Sequence, residues 1–178
     1  MEVKKYHLSS PVEVTTTHLG IPLEYKSQCI EEIYKIGDQM NHKSNVKADM
    51  SEWYIFENND VFNPLLDNIF TAINLFVPIE DKKFKYKMSN CWSARYKKGD
   101  YTVPHKHLPS HLSFVYYLKA DKPSSPIVFN YSNFQLTPID DLLIIFPSYL
   151  THSVPKQLEE TERICIAGNL SIEEIFNK

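Results

Sequence analysis

The chain has 178 residues, enough for one domain with a sizeable core and too few for two ordinary ones. Hydrophobic residues make up 43% and charged residues 23%, which lies inside the globular range and excludes a disordered chain. A formal net charge of -3, with acidic and basic residues interspersed, excludes a strong field favouring nucleic acid or an acidic membrane surface.

Three cysteines at wide spacing, Cys29, Cys91 and Cys165, are an odd number, and no charged-then-apolar leader opens the chain. A reducing cytoplasm is therefore expected rather than a secreted disulfide framework. The longest apolar stretch, residues 142–146, is far shorter than the roughly 20 residues of a membrane helix, so a soluble protein is expected.

In chain order, residues 4–22 carry the β-branched Val12, Val14 and Thr15 to Thr17 and are broken by Pro11 and Gly20, which predicts a short strand and a loop. Over residues 25–40 the apolar Cys29, Ile30, Ile33, Tyr34 and Ile36 recur at helical spacing, with Glu31, Glu32 and Lys35 between them. A second helix is predicted from Asn63, read as an N-cap before Pro64, through Leu65, Leu66, Ile69, Phe70, Ile73 and Phe76 to near Pro78. Beyond Lys82 come short β-rich runs at 91–96, 112–118, 127–131, 142–146 and 163–170. Helices followed by many strands predict a mainly β domain, a sandwich or barrel over 82–178, with the strand and helices of 1–81 laid on one face of an antiparallel double sheet. With four glycines and neither a dinucleotide fingerprint nor a Walker sequence, no phosphate-cradling loop is present.

Four of the seven histidines fall in the β-half, and His105, His107 and His111 lie within Pro104-His105-Lys106-His107-Leu108-Pro109-Ser110-His111. In extended backbone, residues two apart share a side, so His105 and His107 can present both imidazoles to one ion. His152 follows the apolar run 142–146 and the Pro147-Ser148 turn, where an antiparallel fold could return it to that pair. Zinc and iron(II) both accept imidazoles, but a closed structural zinc more usually recruits thiolates, and Cys91 and Cys165 lack the paired spacing. A facial triad on iron leaves positions open for a cosubstrate and dioxygen.

The segments Asn90-Cys91-Trp92, Tyr96 before Gly99-Asp100, His105-Lys106-His107-Leu108-Pro109, Val115-Tyr116-Tyr117-Leu118, Phe146-Pro147 leading to His152, and Arg163-Ile164-Cys165 occur in one order over residues 90–170. Together they resemble the 2-oxoglutarate- and iron(II)-dependent dioxygenase superfamily, in particular its prolyl-hydroxylase-like branch and a smaller family of bacterial and phage proteins. The resemblance implies a double-stranded β-helix, or jelly roll, with iron(II) between His105, His152 and a third ligand. His107 stands where the superfamily usually has a carboxylate and is the favoured third ligand, with His111 and then Asp100 as alternatives.

By the same resemblance Arg163 binds the distal carboxylate of 2-oxoglutarate, Tyr117 donates to that carboxylate, and Tyr96 reaches the cosubstrate's other end. An arginine suits the task because its planar fork stays charged and offers paired donors. Its alternative is a surface ion pair with Glu159 or Glu160, and both tyrosines also fit as core aromatics. Cys165 replaces the serine of an Arg-x-Ser pattern and is the weaker donor. The implied activity is 2-oxoglutarate-dependent hydroxylation with dioxygen, first on a peptide or protein residue and second on a small metabolite; Trp92, Asn169 and the first 80 residues are candidates to line the entrance or, equally, to serve as packing and scaffold. Two rivals are a three-histidine iron cupin without 2-oxoglutarate and a non-catalytic metal-binding β-protein.

Overall fold

The computed structural model describes residues 11–175. The first elements are β1 (Thr15–His18), α1 (Leu23–Ile36), β2 (Val46–Lys47), β3 (Asp49–Met50) and α2 (Ile55–Asn58). A 3-10 turn (Asp60–Phe62) then leads into α3 (Asn63–Phe76). The remaining strands are β4 (Phe84–Tyr96), β5 (Tyr101–His105), β6 (Leu112–Ala120), β7 (Ile127–Phe129), β8 (Phe134–Leu136), β9 (Leu142–Pro147), β10 (His152–Val154) and β11 (Arg163–Glu174). β1 falls within the segment expected to hold a strand, whose first residues, 4–10, lie outside the described part.

Both long helices obey local rules. α1 buries Lys26, Cys29 and Ile33 on one face. It stops at Gly37, short of the predicted residue 40, because the glycine takes a left-handed φ of 66° and its N–H closes on the Ile33 carbonyl at 3.1 Å. α3 carries its proline in the first turn and buries Leu65, Leu66, Ile69, Ala72 and Ile73. Asn63, expected to cap it, is already helical; the capping side chain is Asn59, which accepts the Val61 N–H at 3.1 Å and starts the 3-10 turn that runs straight into α3. Among the described residues no helix is long and apolar enough to cross a membrane.

The strands form a six-stranded sheet, β1-β9-β6-β11-β4-β3, and a five-stranded sheet, β2-β5-β10-β7-β8, with antiparallel pairing throughout. From β4 onward the chain passes back and forth between them, the path of a double-sheet jelly roll.

Alternation along the larger sheet sorts its side chains. Phe114, Tyr116 and Leu118 of β6, Leu143 and Ile145 of β9, and Ile164, Ile166 and Leu170 of β11 share one core cluster with Cys29 and Ile33 of α1 and Leu65 and Ile69 of α3. The residues between them, Tyr117, Ile144, Phe146, Cys165 and Ala167, join Trp92, Ala94 and Tyr96 of β4 in a second cluster between the sheets. Gly168 permits the close packing at the first cluster: a Cβ there would meet the Phe114 ring at 2.7 Å and the Asn90 carbonyl at 2.8 Å.

Asp141 ties the N-terminal segment to this frame. Its carboxylate accepts the N–H groups of Gly20 and Ile21 at 2.7 and 3.1 Å and the Tyr116 hydroxyl at 2.7 Å. Burial alone would raise its pKa, but these hydrogen bonds prevail and hold it below the ordinary carboxylate range.

Candidate metal centre

His105 ends β5, His152 begins β10, and the two are direct cross-strand partners in the smaller sheet. His107 lies just beyond the end of β5, where its N–H donates to the Ser148 carbonyl at 2.8 Å and anchors the loop to the turn after β9. The ring centroids are 4.4 Å apart for His105 and His152, 4.7 Å for His105 and His107, and 5.1 Å for His107 and His152. One nitrogen of each ring lies within 4.8 Å of the others, a spacing that admits a single ion.

The same device orients two of the rings. Nδ1 of His105 lies 2.9 Å from the Val103 carbonyl, and Nδ1 of His152 lies 2.9 Å from the Leu150 carbonyl. A carbonyl only accepts, so each Nδ1 carries the proton and each Nε2 keeps its lone pair for a metal. Burial lowers the pKa of all three histidines; His152 falls to about 4, with His105 adding to the effect, and His107 to about 3, with His105 and His152 adding to it. At neutral pH the centre is thus three neutral imidazoles, a donor set that fits iron(II) or zinc, with neither thiolate nor carboxylate in the cluster.

The other two ligand candidates lie elsewhere. His111 is exposed, its ring beside Tyr86 at 6.4 Å, because the turn closed by the Ser110 N–H on the His107 carbonyl at 2.9 Å reverses the chain between them. Asp100 accepts the Lys97 N–H at 2.8 Å in the β4–β5 turn. It lies at the opposite end of β5 from His105, roughly 16 Å away along an extended strand.

Arg163, at the start of β11, is 3% exposed. Its Nη1 donates to the Ser125 carbonyl at 2.6 Å, its guanidinium carbon lies 3.9 Å from the Tyr96 ring centroid and 6.0 Å from that of Tyr117, and its Nε has no partner. Among the described residues it forms no salt bridge, and Glu160 pairs with Lys98 at 3.0 Å instead. A buried guanidinium without a counter-ion costs several kcal/mol, so this position calls for an anion.

The three histidines, Arg163, Tyr117, Tyr96 and Cys165 all line one cavity of about 50 Å³ between the sheets. A single water needs roughly 10–15 Å³ by the same measure, so the cavity is a narrow slot. Tyr96 places its hydroxyl 2.6 Å from Thr102 Oγ1, and burial pushes its pKa up to about 12, against the pull of Arg163. Burial also raises Tyr117, which is 2% exposed, so both phenols remain neutral. The Cys165 thiol, raised to about 11 by burial, contacts the Ala94 carbonyl at 3.7 Å.

Three participants escaped the sequence reading: Thr102, the Ser125 carbonyl and the buried role of Asn169. Trp92 and Asn169, candidates for an entrance, are buried: Trp92 packs edge-on against Trp53 at 4.9 Å and lines the cavity with its ring 5.7 Å from that of His107, and Asn169 bonds Ser113 and Asn90. Asn169 follows Arg163, Cys165 and Ala167 at intervals of two, and that inward register was the available signal.

No sequence-family model matches the chain, and no curated protein sequence does. Solved structures do. The viral collagen prolyl hydroxylase of Paramecium bursaria Chlorella virus-1, as its 2-oxoglutarate complex, is 16% identical with a TM-score of 0.68, over 88% of this chain and 94% of that one. A Pseudomonas putida prolyl-4-hydroxylase is 17% identical with a TM-score of 0.62, over 90% and 92%. HygX of Streptomyces hygroscopicus, with nickel, 2-oxoglutarate and hygromycin B bound, is 10% identical with a TM-score of 0.68, over 90% and 83%. The chain has the jelly-roll fold of these oxygenases.

Proposed function

We propose that this protein is a 2-oxoglutarate- and iron(II)-dependent dioxygenase that hydroxylates a C–H bond, with iron held by His105, His107 and His152 and the cosubstrate's distal carboxylate held by Arg163. The observation that carries the reading is the buried Arg163 without a counter-ion, lining the same narrow cavity as the three histidines. A metal-binding β-protein with no anionic cosubstrate, or a three-histidine cupin, has no use for that unpaired charge. The fold shared with 2-oxoglutarate-bound structures supports the same conclusion.

Held by His105, His107 and His152, iron(II) would supply, with 2-oxoglutarate and dioxygen, an oxidation yielding succinate and carbon dioxide and placing one oxygen atom in the substrate. The chain's own residues bind, orient and shield. Arg163 lines the cavity with its charge uncompensated and its Nε–H unpaired, and the Tyr117 phenol stands in the same cavity as a neutral donor. Tyr96 lies against the guanidinium as a cation–π partner and keeps its plane fixed. Cys165 is a weak donor on the same face, and Ile127, Phe146 and Val46 exclude water from the slot. An imidazole in place of the usual carboxylate leaves the metal site one unit more positive, which strengthens its attraction for a dianion.

Prolyl hydroxylases among the similar structures support a peptide or protein residue as the substrate, and HygX with hygromycin B keeps a small molecule as the second choice. Three free, buried cysteines suit a reducing cytoplasm. The test is release of labelled carbon dioxide from 1-labelled 2-oxoglutarate by the iron-loaded protein in air. Release that requires iron and dioxygen, and that needs about a hundredfold more 2-oxoglutarate in Arg163→Met, is expected; oxygen uptake with substrate that is indifferent to 2-oxoglutarate would contradict the proposal.

A further inference from the structure

His105 and His152 are each oriented by the carbonyl two residues earlier, and His107 lacks that device. The group facing its Nδ1 is the side-chain amide of Asn169, placed with Nδ2 toward the ring at 3.4 Å. Asn169 is 3% exposed and sits in a buried polar chain: Ser148 Oγ lies 2.8 Å from Ser113 Oγ, Ser113 Oγ 2.7 Å from the Asn169 amide, and that amide 2.7 Å from the amide of Asn90. Ser148 closes the circuit, because its carbonyl also accepts the His107 N–H at 2.8 Å.

The direction of the Asn169 amide decides what His107 can do. With Nδ2 toward His107 the amide donates to Nδ1, the ring carries its proton on Nε2, and no lone pair is left for a metal. Amide nitrogen and oxygen occupy nearly equivalent positions, so the same heavy-atom arrangement serves the opposite direction. With Asn169 and Asn90 both turned over, Asn169 Oδ1 accepts from His107 Nδ1–H and from the Asn90 amide. Its Nδ2 then donates to Ser113, and the Ser113 hydroxyl donates to Ser148. Every contact of the chain is kept, and His107 takes the tautomer of the other two histidines.

We infer that Asn169 is the positioning residue of the third ligand: with its carbonyl toward His107 it selects the Nδ1–H tautomer and leaves Nε2 to the metal. The inference rests on the reading of His107 as a metal ligand. It makes the Ser148-Ser113-Asn169-Asn90 chain part of the metal centre, although none of these side chains belongs to the metal-ligand cluster.

The test measures Co(II) affinity of the full chain by competition with a chelator, in wild type, His107→Ala, Asn169→Ala and Asn169→Asp, with circular dichroism as the check on folding. Asn169→Ala is expected to weaken Co(II) binding by roughly ten- to a hundredfold. Asn169→Asp, which can accept but not donate, is expected to bind at least as tightly as wild type. Nitrogen NMR of the Zn(II)-loaded protein should place the His107 proton on Nδ1, and this readout with Asn169→Asp decides the matter if Asn169→Ala fails to fold. A tenfold loss in folded Asn169→Asp, or a proton on Nε2 of His107, would overturn the inference. A normal affinity in His107→Ala would remove the ligand assignment and the inference together, whereas weakened His107→Ala beside normal Asn169→Ala would remove the inference alone.

Discussion

The two faces of the six-stranded sheet are made by the same strands and serve different ends. One face, with Phe114, Tyr116, Ile164, Ile166 and Leu170, is apolar and packs with residues of α1 and α3. The other interleaves apolar residues with Ser113, Tyr117, Arg163 and Asn169, all buried. On the first face every buried group gains from its surroundings. On the second, a guanidinium lacks a counter-ion and a hydroxyl–amide chain ends at a histidine, so that face stores chemistry at some expense of stability. Neighbouring residues on one strand, such as Ile166 and Cys165, should therefore respond to substitution in opposite ways.

The largest expected effect is on metal binding. His152→Ala removes a proposed ligand whose ring lies among apolar neighbours, Phe146 at 4.8 Å and Phe129 at 6.3 Å, so the variant should fold yet lose stoichiometric iron. Metal content after purification checks this, and retained iron would remove His152 from the ligand set. On the opposite face, Ile166→Ala should cost about 2–5 kcal/mol in urea unfolding through the cavity it opens, with Co(II) affinity unchanged in the folded protein.

Arg163→Met separates the faces from the other direction. It removes the charge-assisted contact proposed for the cosubstrate and should weaken 2-oxoglutarate binding about a hundredfold, equivalent to about 2.7 kcal/mol, while the melting temperature holds or rises. A large loss of stability would mean that Arg163 belongs to the packing. The smallest effect lies at Asp141, whose hydrogen bonds hold its folded pKa below the unfolded value of about 3.9. Its contribution is fully present above that value and is lost as the pH falls through the lower folded pKa. Asp141→Asn should thus cost about 1 kcal/mol at pH 7 and progressively less in acid, read from urea midpoints across the range.

The larger pieces of this arrangement were legible in the chain because they rest on repeated local rules. Helical spacing located α1 and α3, and short β-rich runs between turn residues located β6, β7, β9 and β11. β4 begins at Phe84, well before the predicted run, because a bulge near Asn169 lets its more polar first half continue the pairing with β11. The two-residue strands β2 and β3 and the short α2 carry too few residues for any period to show.

Within the site, His105, His107 and His152 were found by type and spacing, and Arg163 by resemblance. What stayed hidden was relational. Asn169 looks like any inward strand asparagine until the fold brings it beside His107 from 62 residues away, and the Ser125 carbonyl that holds Arg163 has no signature in side-chain identity. His111 shows the converse: type and proximity made it the second candidate, and one turn carries it out of the cluster.

One cavity gathers His105, His107 and His152 with the buried Arg163, and the proposed function puts a metal on the first three and a carboxylate on the last. The most direct test is an anaerobic titration of the iron-loaded protein with 2-oxoglutarate, followed by the weak visible metal-to-ligand charge-transfer absorption. A saturable band in wild type, absent in His152→Ala and shifted to about a hundredfold higher 2-oxoglutarate in Arg163→Met, is the predicted result. No band in wild type with iron bound, or equal affinity in Arg163→Met, would contradict it.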